Sequence, residues 1–301
     1  MVNDKKYSGV FTLLLTPFNT NGAIDWAGYD RYVDWQLEAG PHGLFSVCGS
    51  SEMAWLSLSE RLKLAKQAAA RAGNTPVLAT ANVHPQSYWH KEELKRMSDT
   101  GVSGIVLVPP DKMGTDQQQL ENYLRELAES SELPVFLYEW PQNQPNLIEA
   151  DVWGRLSEIS SIKGIKDTTC TMEDIQHKIS RSAGNTTIFQ ANTPFLLDAV
   201  KQGAGGIMAT ITAAFNESVL DFWKEATVNP DSRHSSELHQ QLVLLDSVQR
   251  FAYPATAKHL ASLQGIPMSS YCRWPVELSR EAAKAVEVFY ESYHVWKRNL
   301  I

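Results

Sequence analysis

The feature that most constrains this chain is a regular alternation of short apolar, β-prone runs with segments of helical period, sustained from residue 10 to about residue 229. The apolar runs fall at 10–16, 43–48, 76–81, 104–108, 133–138, 161–168, 187–190 and 206–210. Helical patterns lie between them at 25–39, from 58 onward, and at 86–100, 115–131, 149–158, 172–181 and 194–202. Near-continuous apolar strands imply burial on both faces, hence a parallel sheet under helices. Eight strand–helix units predict an α/β fold, the closed (β/α)8 TIM barrel, with a doubly wound open sheet as the second reading. Gly40 is placed to stop the first helix. Ser59 is expected to cap the second, with Leu62, Leu64, Ala65, Ala68 and Ala69 as its packing face.

The alternation stops near residue 229. Helical patterns at 236–251, 255–263 and 278–296 follow with no strand between them. This tail is too short for a comfortable core of its own. The expected organisation is therefore a catalytic barrel over 1–229 and a C-terminal helical extension over 230–301 packed on it.

Charge and cysteine content narrow the function classes. Twenty-seven basic against 34 acidic residues give a net charge of −7, which argues against nucleic-acid or anionic-membrane partners and toward a small molecule. No apolar run approaches the roughly 20 residues of a membrane helix. Cys48, Cys170 and Cys272 are far apart and show no paired spacing, so a cytoplasmic location is expected. His42, His84 and His90 are not spaced as a metal set, and no metal site is expected. Residues 203–206 precede their strand and are read as a tight turn on the face opposite the active site.

In such barrels the site forms where strands end. Three segments qualify: Gly49, Ser50 and Ser51 after the second strand, Tyr138 at the end of the fifth, and Lys166 with Thr168 at the end of the sixth. Strand alternation puts Lys166 on the face of Ile162 and Gly164. A lysine held against apolar surroundings loses proton affinity and becomes an amine nucleophile able to form a Schiff base with a carbonyl substrate. Adjacent strands lie about 4.8 Å apart, so the Tyr138 phenol can reach that amine as a proton shuttle. The hydroxyls and backbone N–H groups of Gly49, Ser50 and Ser51 suit a substrate carboxylate. Trp55, Trp140 and Met113 are candidates for an apolar wall on the acceptor side.

The segments at 9–18 (Gly-Val-Phe-Thr-Leu-Leu-Leu-Thr-Pro-Phe), 49–52 (Gly-Ser-Ser-Glu), 133–141 with Tyr138 and Pro141, and 164–168 (Gly-Ile-Lys-Asp-Thr) occur in an order that resembles one family. It is the dihydrodipicolinate synthase/N-acetylneuraminate lyase family of class I, pyruvate-utilising aldolases, and the resemblance spans residues 9–263. It implies a barrel with C-terminal helices, a homo-oligomer (tetramer or dimer), and no metal or organic cofactor. It also implies a Schiff base on Lys166, acid/base work by Tyr138, a carboxylate held at Gly49, Ser50 and Ser51, and Thr168 facing a 2-oxo acid. Dihydrodipicolinate synthases usually carry an arginine where this chain has Asn143, and a Tyr-Tyr pair where it has Pro109, Pro110 and Asp111. Their first motif threonine matches Gly49, so two members of a tyrosine–threonine–tyrosine relay are absent. Asn192 and Thr193 stand where sialic acid lyases present acidic residues, and Met208 and Thr210 of the last strand join that rim. These neutral groups, with the wording at 164–168, resemble the 2-keto-3-deoxy sugar-acid aldolases and dehydratases. The expected activity is a lyase cleaving or condensing such an acid with pyruvate. A dehydratase, a dihydrodipicolinate synthase and a non-catalytic metabolite-binding barrel remain as alternatives.

Overall fold

Eight parallel strands close into a barrel in chain order, β8 returning to β1. The computed structural model describes residues 7–299. The strands are β1 (Gly9–Leu13), β2 (Gly43–Val47), β3 (Val77–Thr80), β4 (Gly104–Leu107), β5 (Val135–Tyr138), β6 (Ile162–Asp167), β7 (Thr187–Gln190) and β8 (Gly206–Ile207). The helices between and after them are α1 (Trp26–Glu38), α2 (Leu58–Arg71), α3 (His90–Ser98), α4 (Gln117–Glu129), α5 (Ala150–Ser157), α6 (Met172–Arg181), α7 (Leu196–Lys201) and α8 (Thr212–Val228). This closed barrel excludes the open sheet. Three more helices follow, α9 (Arg233–Gln249), α10 (Ala255–Leu263) and α11 (Arg280–Arg298), and α8 packs against both α9 and α10.

Aromatic rings fill the barrel interior. Phe11 of β1 and Phe136 of β5 both meet Phe189 of β7 edge-on, at centroid distances of 5.0 and 6.2 Å. Side chains from alternate strands share a layer in such barrels. Glycine makes room for the rings: a Cβ on Gly43 would stand 2.2 Å from the Phe11 ring, and one on Gly206 2.4 Å from Phe189. Gly164 likewise yields space to Phe136 and Phe189. Two residues further along β6, on the same face, stands Lys166.

The differences from the sequence expectations lie at element ends, where side chains take over backbone hydrogen bonds. β8 ends at Ile207 instead of reaching residue 210, because the Thr212 hydroxyl accepts the Leu13 N–H and donates to the Ala209 carbonyl. β1 stops at Leu13 for a related reason: the Leu15 N–H goes to the Tyr32 hydroxyl. The cap of α2 is Ser57, not Ser59. Ser57 and Glu60 form a reciprocal capping box, and Ser59 lies inside the helix. Of the packing residues expected on that helix, Leu64, Ala65 and Ala68 are buried, whereas Leu62 and Ala69 are half-buried.

Candidate active site

The register of β5 against β6 pairs Tyr138 directly with Lys166. The Lys166 ammonium nitrogen lies 4.2 Å from the Tyr138 ring centroid and 5.7 Å from that of Phe45. Lys166 is only 4% exposed, and this burial lowers its pKa from the ordinary lysine value to about 8. Burial likewise pushes the Tyr138 phenol well above its usual value, so Tyr138 is a protonated donor in the resting site.

The loop after β2 presents backbone donors beside this pair. Among the described residues, the N–H groups of Gly49, Ser50 and Ser51 meet no protein acceptor. Successive free N–H groups form an anion nest. The Ser51 hydroxyl is spent within the loop, accepting from Cys48 N–H and donating to Cys48 O. A Cβ on Gly49 would stand 3.1 Å from the Tyr138 hydroxyl and 3.2 Å from the Trp140 indole nitrogen, so those two groups fill the space of a side chain. Trp55 instead stacks on Trp274, centroids 4.7 Å apart.

Behind the pair, on the outward face of the strands, the next residues form a buried ionic cluster. Lys178 of α6 donates to Glu139 (2.5 Å), Asp167 (3.1 Å) and the Thr169 hydroxyl (2.7 Å). Glu139 also accepts from the N–H groups of Ile148 and Thr168. Burial raises the Glu139 carboxyl against the pull of Lys178. For Asp167 the same burial is outweighed by Lys178 and the Thr169 hydrogen bonds, which hold it below its ordinary value. The cluster therefore ties the ends of β5 and β6 to α6.

The remaining sequence candidates fall at the rim in different roles. Thr168 donates its hydroxyl to the Glu139 carbonyl and accepts from Asn146. Asn143 spends its amide on the Pro109 carbonyl (2.7 Å), and Asn192 spends its own on the carbonyls of Thr168 and Thr169. Thr193 is buried with an unpartnered hydroxyl, Met208 is buried, and Thr210 lies 3.5 Å from Asp246 of α9. Two features escaped the sequence reading. One is the Lys178 cluster, signalled only by a lysine between Ile175 and Ile179 on the buried side of α6. The other is Tyr253, whose hydroxyl donates to Ser50 Oγ at 2.5 Å from a loop some 200 residues away. Among the described residues, no three His, Cys, Asp or Glu side chains are grouped to hold a metal ion, and no helix is long and apolar enough to cross a membrane.

The dihydrodipicolinate synthetase family profile matches residues 6–291. The chain belongs to that family. Members of this family are class I, pyruvate-type lyases. The chain is 26% identical over 279 residues to a 4-hydroxy-tetrahydrodipicolinate synthase of Oceanobacillus iheyensis, covering 91% of this chain and 93% of that one. A second relative of the same name, from Desulfotalea psychrophila, is 24% identical and covers 90% and 91%. Among solved structures, dihydrodipicolinate synthase DapA-2 of Bacillus anthracis superposes with a TM-score of 0.89 at 23% identity, covering 97% of this chain and 99% of that chain. YagE, a prophage protein of the family from E. coli K12 in complex with pyruvate, gives 0.88 at 22% identity, covering 95% and 98%. These likenesses establish the shared barrel with its C-terminal helices.

Proposed function

We propose that this chain is a Schiff-base-forming class I lyase that cleaves or condenses a 2-oxo acid of the 2-keto-3-deoxy sugar-acid type, with pyruvate as one half. The observation that carries the reading is Lys166, a buried amine of lowered pKa paired in register with Tyr138. The neutral amine attacks C2 of the 2-oxo acid, whose carboxylate sits on the free N–H groups of residues 49–51. Tyr138 protonates the departing hydroxyl, water leaves, and the cationic imine acts as electron sink for carbon–carbon cleavage or for deprotonation at C3.

The relatives' names favour a second reading, dihydrodipicolinate synthase. Against it stands Asn143, whose amide is engaged with Pro109 where the resemblance expects an arginine for the aldehyde's carboxylate. The test is intact mass and peptide mapping after pyruvate and borohydride. A reduced adduct on Lys166, absent in Lys166→Ala, is expected. If the folded protein yields no adduct with pyruvate or other 2-oxo acids, the reading is wrong and the metabolite-binding barrel takes its place. A panel of 2-oxo acids with and without a C4 hydroxyl then separates cleavage, which releases pyruvate, from dehydration, which releases a deoxygenated oxo acid.

A further inference from the structure

The catalytic pair has a hydroxyl donor, Tyr138, but the tyrosine–threonine–tyrosine relay expected from the family resemblance is broken at two positions. Gly49 brings no hydroxyl, and Pro109, Pro110 and Asp111 bring no phenol. A buried phenol that gives up a proton must recover it along some path. The structure supplies one from an unexpected part of the chain.

Tyr253 lies between α9 and α10, in the C-terminal extension. Its hydroxyl donates to Ser50 Oγ at 2.5 Å, so Ser50 keeps its own proton free to donate onward. Ser50 is buried, and it follows Gly49, where even a Cβ would stand only 3.1 Å from the Tyr138 hydroxyl. The placement is rigid. Two residues after Ser50, the Glu52 carboxylate pairs at 2.6 Å with Lys258 of α10, and both side chains are fully buried. The Thr256 hydroxyl, in the first turn of α10, ties back to the Gln249 carbonyl at the end of α9. The Glu52–Lys258 pair thus pins the loop to α10 beside the Ser50–Tyr253 contact, while the Thr256 bond closes the turn that carries Tyr253.

We propose that Tyr253 and Ser50 form a proton relay to Tyr138 within a single chain, replacing the two missing relay members. The proposal rests on the imine reading given above. In the step concerned, Tyr138 gives its proton to the carbinolamine hydroxyl, the C–O bond breaks, and water leaves with the iminium formed. The resulting phenolate takes a proton from C3, leaving the C–H electron pair in the enamine and restoring the phenol. Ser50 and Tyr253 connect that phenol to solvent, with the substrate carboxylate on residues 49–51 between Tyr138 and Ser50. Without the relay, Tyr138 hands the same proton back to C3 and no solvent proton enters.

Pyruvate in heavy water makes this distinction directly, and no second substrate is needed. Loss of the methyl proton signal is followed by nuclear magnetic resonance on the full chain, with borohydride trapping in parallel. Tyr253→Phe is expected to yield the Lys166 adduct at saturating pyruvate while methyl exchange slows by at least about tenfold, the low side of an acid–base contribution. Ser50→Ala should slow exchange as well, and the double variant should be no slower than the slower single one, because both residues serve one path. Exchange at the native rate in Tyr253→Phe overturns the relay. So does a parallel loss of adduct and exchange, which would make Tyr253 a support for the Ser50 loop only. If the unaltered protein gives no adduct, the imine reading falls, and the relay falls with it.

Discussion

Lys166 is held in conflict with its own charge. Burial brings its pKa to about 8, so about a tenth of the amine is neutral at pH 7, against less than a thousandth for a lysine near 10.4. Only the neutral form attacks a carbonyl. The initial rate of adduct formation at saturating pyruvate should therefore rise with pH as a single proton loss centred near 8 and then flatten. A rise continuing toward 10 would mean an exposed amine. The linkage has the corresponding sign. Between about pH 8 and 10.5 the unfolded chain holds a proton that the folded one has lost, so this group's contribution to stability rises with pH through that window and is unfavourable below it. Lys166→Met should accordingly raise folding stability at pH 7, by up to about 3 kcal/mol, in urea unfolding, while abolishing the adduct. Lys166 and Tyr138 were legible in the sequence because strand alternation and strand adjacency suffice to place them. Tyr253 was not, because its contact with Ser50 joins positions 203 residues apart and leaves no local pattern.

At the scale of elements, the Tyr138–Lys166 pair is positioned from behind. Lys178 holds together two carboxylates, Glu139 and Asp167, that directly follow Tyr138 and Lys166. Lys178→Met leaves both without their cation in a buried setting, a change that typically costs about 3–5 kcal/mol. Removing a partner that lowers the Glu139 pKa raises it further, so the folded variant binds a proton that an unfolded carboxyl, near 4.3, does not. The native carboxyl, raised to about 7, takes up that proton as well once the pH falls below 7, so the variant's stability should improve relative to the native chain as pH falls from 9 to 7. Urea unfolding at the two pH values checks this, and a pH-independent deficit would refute it. The alternation of strands and helices was readable because burial on both faces makes a strand continuously apolar. The element ends were less so. Thr212 and Tyr32 truncate β8 and β1 by accepting backbone N–H groups of β1 or the residues just beyond it. Glu60 selects Ser57 over Ser59 as the cap of α2.

At the scale of the molecule, the question is whether the extension is an addition or part of the barrel's construction. The Glu52 carboxylate, with φ of +62° in the loop that carries Ser50, accepts from Lys258 and from the N–H groups of Arg273 and Trp274. Arg273 also grips Glu60, the carboxylate that caps α2. Every one of these donors comes from beyond residue 229. On the other side of the extension, Phe215 of α8 packs edge-on against Phe289 and Tyr293 of α11. A chain ending at residue 229 would keep all eight strands, yet it would strip the Glu52 carboxylate of these partners beside Ser50 and expose the outer face of α8. Such a chain should lack a cooperative thermal transition and give no Lys166 adduct. A fragment that melts cooperatively and is trapped by borohydride would make the extension dispensable. The point variant separates charge from mass: Lys258→Met should cost about 3–5 kcal/mol, and adding Glu52→Gln should recover part of it by removing the stranded charge. If the double variant regains stability but pyruvate methyl exchange stays slow, the ion pair sets the geometry of the Ser50–Tyr253 contact as well as the fold. The extension then belongs to the active site, although its sequence reads as an appendix to the barrel.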